Sequence, residues 1–512
     1  MPRGDAAAPL DKPTPKKAKG PALRAPDLRF VEELRVWDPV LSRRSIETTY
    51  RFTMRTGEVH EFDLAYKYDL PVIEETWRLR NLARLLVSLP ALNYGLFTER
   101  FVLDYPLTRA DVAYLKEMMD VTAREQYLTR IVSENPLILP EYRITPEEFD
   151  PKAVKRVAKV EVDLEKAQAE EAELDADKYA VLSSGGKESL LTYGLLKELG
   201  KEVHPIYFNE SGRHWHTAVT SYRHMQRTEP LTKRIWSTTD RLYTGVNKIL
   251  PLVRRDFQRV RADVYPIQMW VFNNYQVAAM PYLLHAGVGN LLMGNEYDEG
   301  PWPEVKGVRY YYAIYDQSQE FDLRASAFYG EKGLPVSQFS LVRPIAGPMV
   351  QEILGKRYPD LWKTQTSCHA THTKAGKVLP CGRCSKCLGV MLFHLQAGLD
   401  PTKIRYTKAD VARLPERVAT THLKLDRGEA ENSLSKLVER GWPFQGSFNG
   451  FEPREHPAVD RLRFDEEMSL LTNLPEHLRA NVHRLFLEHA KGALLKRGGK
   501  WAPLSREQLL KA

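Results

Sequence analysis

The segment that most constrains the fold of this chain is residues 179–199, where an apolar run, a Gly-Gly turn and an amphipathic stretch follow one another. Residues 179–183 (YAVLS) are typical of a buried strand, and residues 189–199 have the apolar spacing of a helix that ends at Gly200. A strand that turns directly into a helix is the repeating unit of sheets that are covered by helices on both faces.

The residues that follow repeat this alternation of strand and helix. Further strands are predicted at 203–208, 233–237 and 290–293, and a long helix is predicted at 267–285. We therefore expect an α/β fold with a doubly wound parallel sheet. Ligands of such sheets bind beyond the carboxyl ends of the strands, so the residues that follow the predicted strands are the first candidates for a site.

The length of 512 residues allows about three domains at roughly 150 residues each. The composition changes along the chain. A sequence typical of strands is followed by a charged, glycine-poor stretch and then by the α/β pattern. The predicted parts are a disordered basic tail (1–27), a small N-terminal α+β domain (28–147), a charged linker or solvated helix (148–176), the α/β domain (177–400) and a helical C-terminal region (401–512).

The distribution of charge argues against a nucleic-acid partner. The net charge is +8, and the two ends carry all of it, with a net +3 in residues 1–27 and a net +5 in residues 491–512. Residues 28–490 have no net charge and so lack the basic excess of a nucleic-acid binder. We therefore interpret the two ends as solubilising tails. The sequence has no run of about 18 apolar residues and no apolar signal segment, so we expect no membrane association and a cytoplasmic location.

The turn at residues 183–189 (SSGGKES) has the composition of an anion-binding loop. Its glycines, Gly185 and Gly186, let the backbone approach an anion closely, and the following helix offers free N–H groups. The side chains available to the anion are the hydroxyls of Ser183, Ser184 and Ser189 and the ammonium group of Lys187. This is not a Walker A loop, because Glu188 stands where that motif has Ser or Thr. A plain turn between strand and helix is the alternative.

All four cysteines of the chain lie between positions 368 and 387. Cys381, Cys384 and Cys387 form two overlapping C-x-x-C steps, and Cys368 precedes them. Four thiolates at this spacing predict a tetrahedral Zn²⁺ site with no open position, which is structural rather than catalytic. An iron–sulfur cluster and a redox dithiol are the alternatives.

Polar residues follow other predicted strands. Asn295 and Glu296 come after the strand at 290–293, where a carboxylate could bind Mg²⁺ or the ribose of a nucleotide. Glu210 follows an earlier strand in the same way, and Arg343, in the segment SLVRP, could bind a phosphate. A polar loop and a surface salt bridge are the alternative interpretations.

The glycine-rich loop resembles the SGGxDS signature of the PP-loop, or N-type, ATP pyrophosphatases, with Glu188 in the place of the usual aspartate. The resemblance implies an adenine nucleotide alpha hydrolase-like fold, ATP and Mg²⁺ as cofactors, and transfer of AMP to a substrate oxygen while the loop holds the pyrophosphate. The residues implied to bind the nucleotide are Ser183, Ser184, Gly185, Gly186, Ser189, Asn295, Glu296 and Arg343, and those implied to act in catalysis are Lys187, Glu188 and Ser189.

Within that superfamily the chain resembles the UDP-N-acetylmuramoyl-L-alanyl-L-glutamate epimerase (MurL) family. The similarity covers roughly residues 28–405 and rests on the order of GGKES (185–189), GNE (294–296), SLVRP (340–344) and CGRCSKC (381–387). It implies an enzyme of peptidoglycan precursor synthesis that adenylates the terminal L-Glu of UDP-MurNAc-L-Ala-L-Glu and converts it to D-Glu.

The cysteine motif also resembles the 7-cyano-7-deazaguanine synthase (QueC) family, whose members aminate an adenylated carboxylate. An amidating enzyme and a nucleotide-binding protein without catalysis are therefore the alternatives. The segment at 297–307 (YDEGPWPEVKG) departs from the epimerase pattern, and it is the segment expected to contact the substrate. Whether the chain forms oligomers is left open.

Overall fold

The computed structural model describes residues 26–133, 135–168, 170–212, 214–260, 265–421, 423–444, 448 and 450–511. Most of the predicted basic tail lies outside these residues. The described chain is mixed α/β, with helices packed around a central sheet of eleven strands whose pairings are mostly parallel. The prediction of an α/β fold with a mostly parallel central sheet is confirmed.

The strands are, in chain order, β1 (Val31–Val36), β2 (Val40–Ser42), β3 (Ser45–Met54), β4 (Val59–Tyr68), β5 (Thr98–Leu107), β6 (Lys159–Leu164), β7 (Asp175–Ser183), β8 (Glu202–Asn209), β9 (Lys233–Ser237), β10 (Val288–Leu292), β11 (Glu304–Val305), β12 (Val308–Arg309), β13 (Ser337–Phe339), β14 (His372–Lys374), β15 (Lys377–Leu379), β16 (Leu462–Phe464), β17 (Ala493–Arg497) and β18 (Lys500–Leu504).

The α-helices are α1 (Trp77–Ser88), α2 (Arg109–Gln126), α3 (Lys187–Glu198), α4 (His214–Thr228), α5 (Thr239–Ile249), α6 (Phe272–Ala286), α7 (Gln319–Glu331), α8 (Gly347–Arg357), α9 (Pro359–Trp362), α10 (Ser385–Gln396), α11 (Lys408–Ala412), α12 (Leu414–Thr420), α13 (Arg427–Glu439), α14 (Glu476–Leu487) and α15 (Arg506–Lys511). A π-helical turn, Tyr127–Val132, continues α2.

Five parallel strands form one half of the central sheet, in the spatial order β13-β10-β7-β8-β9. The chain runs from β7 outward through β8 to β9 and then crosses to β10 and β13 on the other side of β7. The strand order therefore reverses between β7 and β10. At such a switch point the neighbouring loops diverge and leave a crevice at the carboxyl ends of the strands, so the loops after β7 and β10 border this crevice.

Helices cover both faces of this parallel half. Ala180 and Ile206 belong to one buried cluster together with residues of α5 and α6, while Tyr179 and Val203 belong to another together with residues of α3, α8 and α10. Neighbouring residues of a strand point to opposite faces, so strands buried on both faces need apolar residues at nearly every position. This is why β7 and β8 contain the short apolar runs YAVL (179–182) and PIYF (205–208).

The strands of the N-terminal part extend the same sheet. β4 pairs antiparallel with β9, and the order continues through β3, β1, β5 and β6. The N–H of Ala65 donates a hydrogen bond to Thr238 Oγ1 (2.9 Å), and the Tyr68 hydroxyl donates one to the carbonyl of Ala278 (2.9 Å). The two parts therefore share one hydrophobic core.

Two segments have structure that the sequence did not predict. Residues 159–164, which lie in the expected linker or solvated helix, form β6 instead, and β6 pairs parallel with β5. The exposed and half-buried side chains of this edge strand account for its charged sequence. The C-terminal region contains helices α11 to α15 but also a three-stranded sheet of β16, β17 and β18.

Among the residues that the structure describes, no helix combines the length and the apolar composition that crossing a bilayer requires.

We expect β4 and β9 to unfold in one cooperative step, because they are hydrogen-bonded neighbours in a single sheet over a common core. Hydrogen exchange should give the amides of Tyr66 and Trp236 the same free energy of opening. The strands of the β14–β15 hairpin have only three residues each and are largely exposed. Their amides should therefore exchange through a local opening with a lower free energy. Separate opening energies for β4 and β9 would contradict the shared core.

Candidate functional site

The glycine-rich loop lies where β7 ends and α3 begins, at the switch point of the sheet. Gly185 has a φ of +73°, in the left-handed region that favours glycine, and Gly186 is the N-cap residue of α3. A Cβ atom on Gly185 would lie 3.1 Å from the Cβ of Ser221 in α4. Ser183 Oγ accepts a hydrogen bond from the N–H of Gly185 (3.3 Å), so the first serine of the motif shapes the turn.

The loop after β10 packs directly on the start of α3. A Cβ atom on Gly294 would lie 2.5 Å from the Cβ of Glu188 and 2.8 Å from the backbone nitrogen of Ser189. Real Cβ atoms do not approach other atoms so closely, so only glycine fits at position 294. This contact brings the GNE segment and the glycine-rich loop together, because β7 and β10 are neighbours in the sheet.

Lys187 is the centre of the resulting cluster. Its ammonium group lies between Glu188 of the same helix and Glu296 of the loop after β10, with both oxygens of Glu296 within hydrogen-bonding distance (2.8 and 2.7 Å). Burial alone would lower the pKa of Lys187, but the two carboxylates raise it above its usual range. Burial also raises the pKa of Glu188, but the adjacent ammonium outweighs this effect, and the net shift is downward.

Three further carboxylates lie near this cluster. Asp298 follows Glu296 in the same loop, while Asp426 and Glu429 come from the start of α13 in the C-terminal region. Asp426 accepts hydrogen bonds from the N–H of Gly428 (2.9 Å) and of Glu299 (3.0 Å), which ties α13 to the loop after β10. Glu429, in turn, accepts one from the N–H of Gly347 (2.6 Å), the first residue of α8.

The carboxylates outnumber the cations in the crevice, and their pKa values reflect this. Burial raises the pKa of Glu296 to about 7, and burial together with the nearby charge of Asp426 raises the pKa of Asp298 to about 6. Burial and the charges of Glu296 and Asp426 raise the pKa of Glu429 well above its usual range. Oxygen ligands in excess of cations are the donor set that suits a hard divalent cation such as Mg²⁺.

The sequence did not identify the carboxylates from α13. An Asp at the N-cap with a Glu three residues later is a recognisable start of a helix, and Asp426 and Glu429 have this spacing. That pattern predicts where the helix begins but not what it packs against. The sequence does offer a signal for Asp298, because this residue lies two positions after Glu296 in the segment that is expected to contact the substrate.

The side chains of Asn295 and Arg343 form hydrogen bonds with residues outside the Lys187 cluster. The side chain of Asn295 accepts a hydrogen bond from Gln317 Nε2 (3.2 Å). Arg343 is only 1% exposed, forms an ion pair with Asp322 and donates a hydrogen bond to the carbonyl of Gln317 (2.9 Å). These contacts brace the loop after β10, and the positive charge of Arg343 opposes the rise in the pKa of Asp298.

Ser184 is exposed at the tip of the loop, and Ser189 lies in the first turn of α3, where it is 5% exposed. Ser189 Oγ lies 3.2 Å from Ser183 Oγ and donates a hydrogen bond to the carbonyl of Gly186 (3.3 Å). Glu210, beyond the end of β8, is buried and accepts a hydrogen bond from the hydroxyl of Tyr275, and burial raises its pKa. A further buried carboxyl group therefore lies at the end of β8, on the other side of β7 from β10.

The four cysteines form a compact cluster. All their sulfur atoms lie within 4.8 Å of one another, with 3.9 Å between Cys368 and Cys384 and 3.9 Å between Cys381 and Cys387. A tetrahedral zinc ion with Zn–S bonds of about 2.3 Å places its sulfurs about 3.8 Å apart. Backbone N–H groups of Ala370 and Cys381 also point at Cys368 Sγ, both at 3.2 Å. These four residues could hold a metal ion such as zinc.

The cysteine cluster is connected to the glycine-rich loop. The chain leading into Cys368 touches the loop, because the N–H of Thr366 donates a hydrogen bond to the carbonyl of Gly185 (3.3 Å). On the other side of the cluster, Lys386 lies in the first turn of α10, and its charge lowers the pKa of Glu188. A metal ion held by the cysteines would therefore fix two segments that border the crevice, the one before Cys368 and the first turn of α10.

A cavity of about 800 Å³ lies elsewhere, between the start of α2 and the end of α7, and its lining includes Arg109, Lys166, Glu171 and Lys332. The glycine-rich loop does not line it.

No protein-family model matches the sequence of this chain, and no curated protein matches it either.

We expect one zinc ion per chain in freshly purified protein, measured by elemental analysis. Removal of the metal with a chelator should lower the melting temperature by several degrees, because binding free energy at a structural site is folding free energy. Cys384→Ser should lose both the zinc and the stability. The matched change His372→Ala, at an exposed position of β14 in the same segment, should keep both. Well under one zinc per wild-type chain would contradict the assignment.

Without added divalent cations, the free energy of unfolding of the protein should fall as the pH rises from about 5 to about 7. Glu296 has a folded-state pKa of about 7, above its value of about 4.5 in the unfolded chain, so in this range the folded state binds more protons. In Glu296→Gln, the decrease in the free energy of unfolding between about pH 5 and about pH 7 should be smaller by an amount on the order of 1 kcal/mol. Chemical denaturation at each pH measures this free energy. Exposed Glu47→Gln is the control, and an unchanged slope in Glu296→Gln would refute the interpretation.

Proposed function

We propose that this chain is an AMP-forming enzyme that binds Mg·ATP at the β7–β10 switch point and adenylates a substrate carboxylate. The observation that supports this best is the convergence of a strand–Gly-Gly–helix turn, a lysine and an excess of carboxylates at the switch point between β7 and β10. We further propose a PP-loop ATP pyrophosphatase fold, which the sequence motif supports.

The residues of the crevice suit the phosphates of ATP. The first turn of α3 offers backbone N–H groups and the positive end of the helix dipole, and Ser184 and Ser189 add hydroxyls. Lys187 would exchange its carboxylate partners for phosphate oxygens. Glu188, Glu296 and Asp298 would hold Mg²⁺, which supplies positive charge against the charge that develops on the pyrophosphate leaving group.

The proposed first reaction is attack by a carboxylate oxygen of the substrate on the α-phosphorus of ATP. A new oxygen–phosphorus bond forms, the bond between the α-phosphorus and the bridging oxygen breaks, and pyrophosphate leaves. Lys187 and the N–H groups of α3 stabilise the departing charge because they are already fixed in place. The products at this stage are an acyl-adenylate and pyrophosphate.

We propose that the acyl-adenylate is then epimerised, as the resemblance to the muramoyl-dipeptide epimerases suggests. A free carboxylate opposes loss of the adjacent Cα proton, since a second negative charge would develop beside it. Adenylation removes that charge and makes the Cα–H more acidic. A base removes the proton, it returns on the opposite face, and water hydrolyses the adenylate to AMP and the D-glutamyl product. We propose that the reaction takes place in the cytoplasm, where ATP is supplied.

The first test is release of AMP and pyrophosphate from Mg·ATP with two candidate acceptors, UDP-MurNAc-L-Ala-L-Glu and 7-carboxy-7-deazaguanine plus ammonia. We expect release with the muramoyl dipeptide, with D-Glu in the product. Release only with the deazaguanine would replace epimerisation by amidation. Release with neither acceptor would contradict both assignments of substrate.

Lys187→Ala and Ser189→Ala should each reduce pyrophosphate release by at least about a hundredfold, because both groups face the leaving phosphates. Lys187→Ala also leaves buried carboxylates unpaired and could lose stability, so Ser189→Ala is the more conservative test. Lys197→Ala, at the exposed far end of the same helix, is the matched control and should be fully active. Folded Ser189→Ala protein with normal activity would refute the assignment of the loop.

A further inference from the structure

The α/β unit holds the first half of the loop after β10. The N–H of Asn295 donates a hydrogen bond to Ser340 Oγ (3.0 Å), and the N–H of Tyr297 donates one to the carbonyl of Ile345 (3.0 Å). Asp298 comes next and is half-buried, and no described residue donates a hydrogen bond to its carboxylate. The position of this carboxylate therefore depends on the residues on either side of it.

The C-terminal region holds both neighbours of Asp298. Arg463 of β16 is 2% exposed, and its guanidinium group lies 3.8 Å from the centre of the Tyr297 ring. The same guanidinium group forms an ion pair with Glu299 (3.3 Å), the residue after Asp298. The Tyr297 hydroxyl donates a hydrogen bond to Asp465 (2.5 Å), which directly follows β16. One buried arginine therefore contacts the side chains on both sides of Asp298.

Burial of the Arg463 charge is unfavourable for stability. Its Nε atom is buried without a hydrogen-bond partner among the described residues, and its carboxylate partner, Glu299, is 51% exposed. A buried cation that is paired incompletely stabilises a fold less than an apolar side chain of similar size. The presence of arginine here is therefore better explained by what its rigid, planar group holds in place.

We infer that Arg463 is a positioning residue, which holds residues 297–299 so that Asp298 faces a divalent cation together with Glu296. The inference rests on the proposed function, in which these carboxylates bind Mg²⁺, and extends it to the C-terminal region. Groups that contact a metal's ligands set the metal affinity by fixing how those ligands are oriented. The charge of Arg463 acts in the opposite direction, because it lies within electrostatic range of Asp298 and repels a cation bound there.

The binding test uses Mn²⁺ as the probe, titrated calorimetrically into the full-length protein without nucleotide. Arg463→Gln should weaken Mn²⁺ binding by about tenfold or more, because Asp298 is no longer held toward the cation. A role through charge alone predicts the opposite sign, since removal of a positive charge would strengthen Mn²⁺ binding.

Arg463→Lys is the second variant, for the case that Arg463→Gln does not fold. It keeps the charge and loses the planar group that lies over Tyr297, so a change in Mn²⁺ affinity reports position alone. We expect binding weaker by about threefold, since the lysine can still pair with Glu299.

The matched control is Arg309→Gln. Arg309 of β12 also lies over an aromatic ring, 4.4 Å from the centre of Trp302, and also forms an ion pair with a glutamate, Glu467 (2.9 Å). Neither partner adjoins a carboxylate that is proposed to bind Mg²⁺, so this variant should bind Mn²⁺ within about twofold of the wild type. A loss as large as that of Arg463→Gln would show an unspecific effect and overturn the proposal.

Hydrogen exchange measures the position of the loop without any metal. The N–H of Glu299 donates a hydrogen bond to Asp426 (3.0 Å), and in Arg463→Gln this amide should exchange faster. The amide of Val181, in the middle of β7, should exchange as in the wild type. Unchanged exchange at Glu299 would contradict the positioning role.

Three results of the Mn²⁺ titration would overturn the proposal. These are equal affinity in both Arg463 variants and the wild type, tighter binding in Arg463→Gln, and absence of Mn²⁺ binding in the wild type. The proposed reaction is decided separately, by pyrophosphate release from the wild type. If the wild type releases none, a loss of Mn²⁺ affinity in Arg463→Gln and Arg463→Lys would support the positioning role while the proposed reaction is refuted.

Discussion

The ammonium group of Lys187 is shared by two carboxylates that come from different sides of a switch point. Glu188 lies on the helix after β7, and Glu296 lies on the loop after β10, so a single charge joins the segments on both sides of the crevice. The close packing of Gly294 on the start of α3 makes this geometry possible. The other groups of the candidate site are arranged around this interaction, and binding of an anion there would require Lys187 to exchange partners.

The parts of the chain that are distant in sequence converge on the same loop. The segment that precedes Cys368 touches Gly185, and the charge of Lys386, which lies between two cysteines of the cluster, lowers the pKa of Glu188. The C-terminal region supplies carboxylates through α13 and places the β17–β18 hairpin beside Tyr297. The cysteine cluster and the C-terminal region, which look separate from the α/β unit in the sequence, thus both border the crevice.

Local sequence patterns were sufficient for the elements that depend on local physics. The apolar run, the two glycines and the amphipathic stretch at 179–199 predicted β7, the turn and α3, because strand burial and helix periodicity leave direct marks in a sequence. The spacing of the cysteines predicted their cluster for the same reason, since ligands close in sequence are close in space. Residues 159–164 form a strand that their sequence does not indicate, because an edge strand needs few apolar residues and resembles a linker.

By itself, the sequence determined the α/β alternation, the anion-binding composition of the loop at 183–189, the placement of Glu296 at a strand end and the four-cysteine cluster. Only the tertiary structure decided that the N-terminal strands join the same sheet through β4 and β9, that Arg343 is buried against Asp322, and that Asp426 and Glu429 face the Lys187 cluster. The physical reason is the range of the interactions. Periodicity, capping and ligand spacing act over a few residues, whereas the pairing of two strand edges or the burial of a carboxylate beside a lysine some 240 residues away in sequence depends on how the whole chain packs.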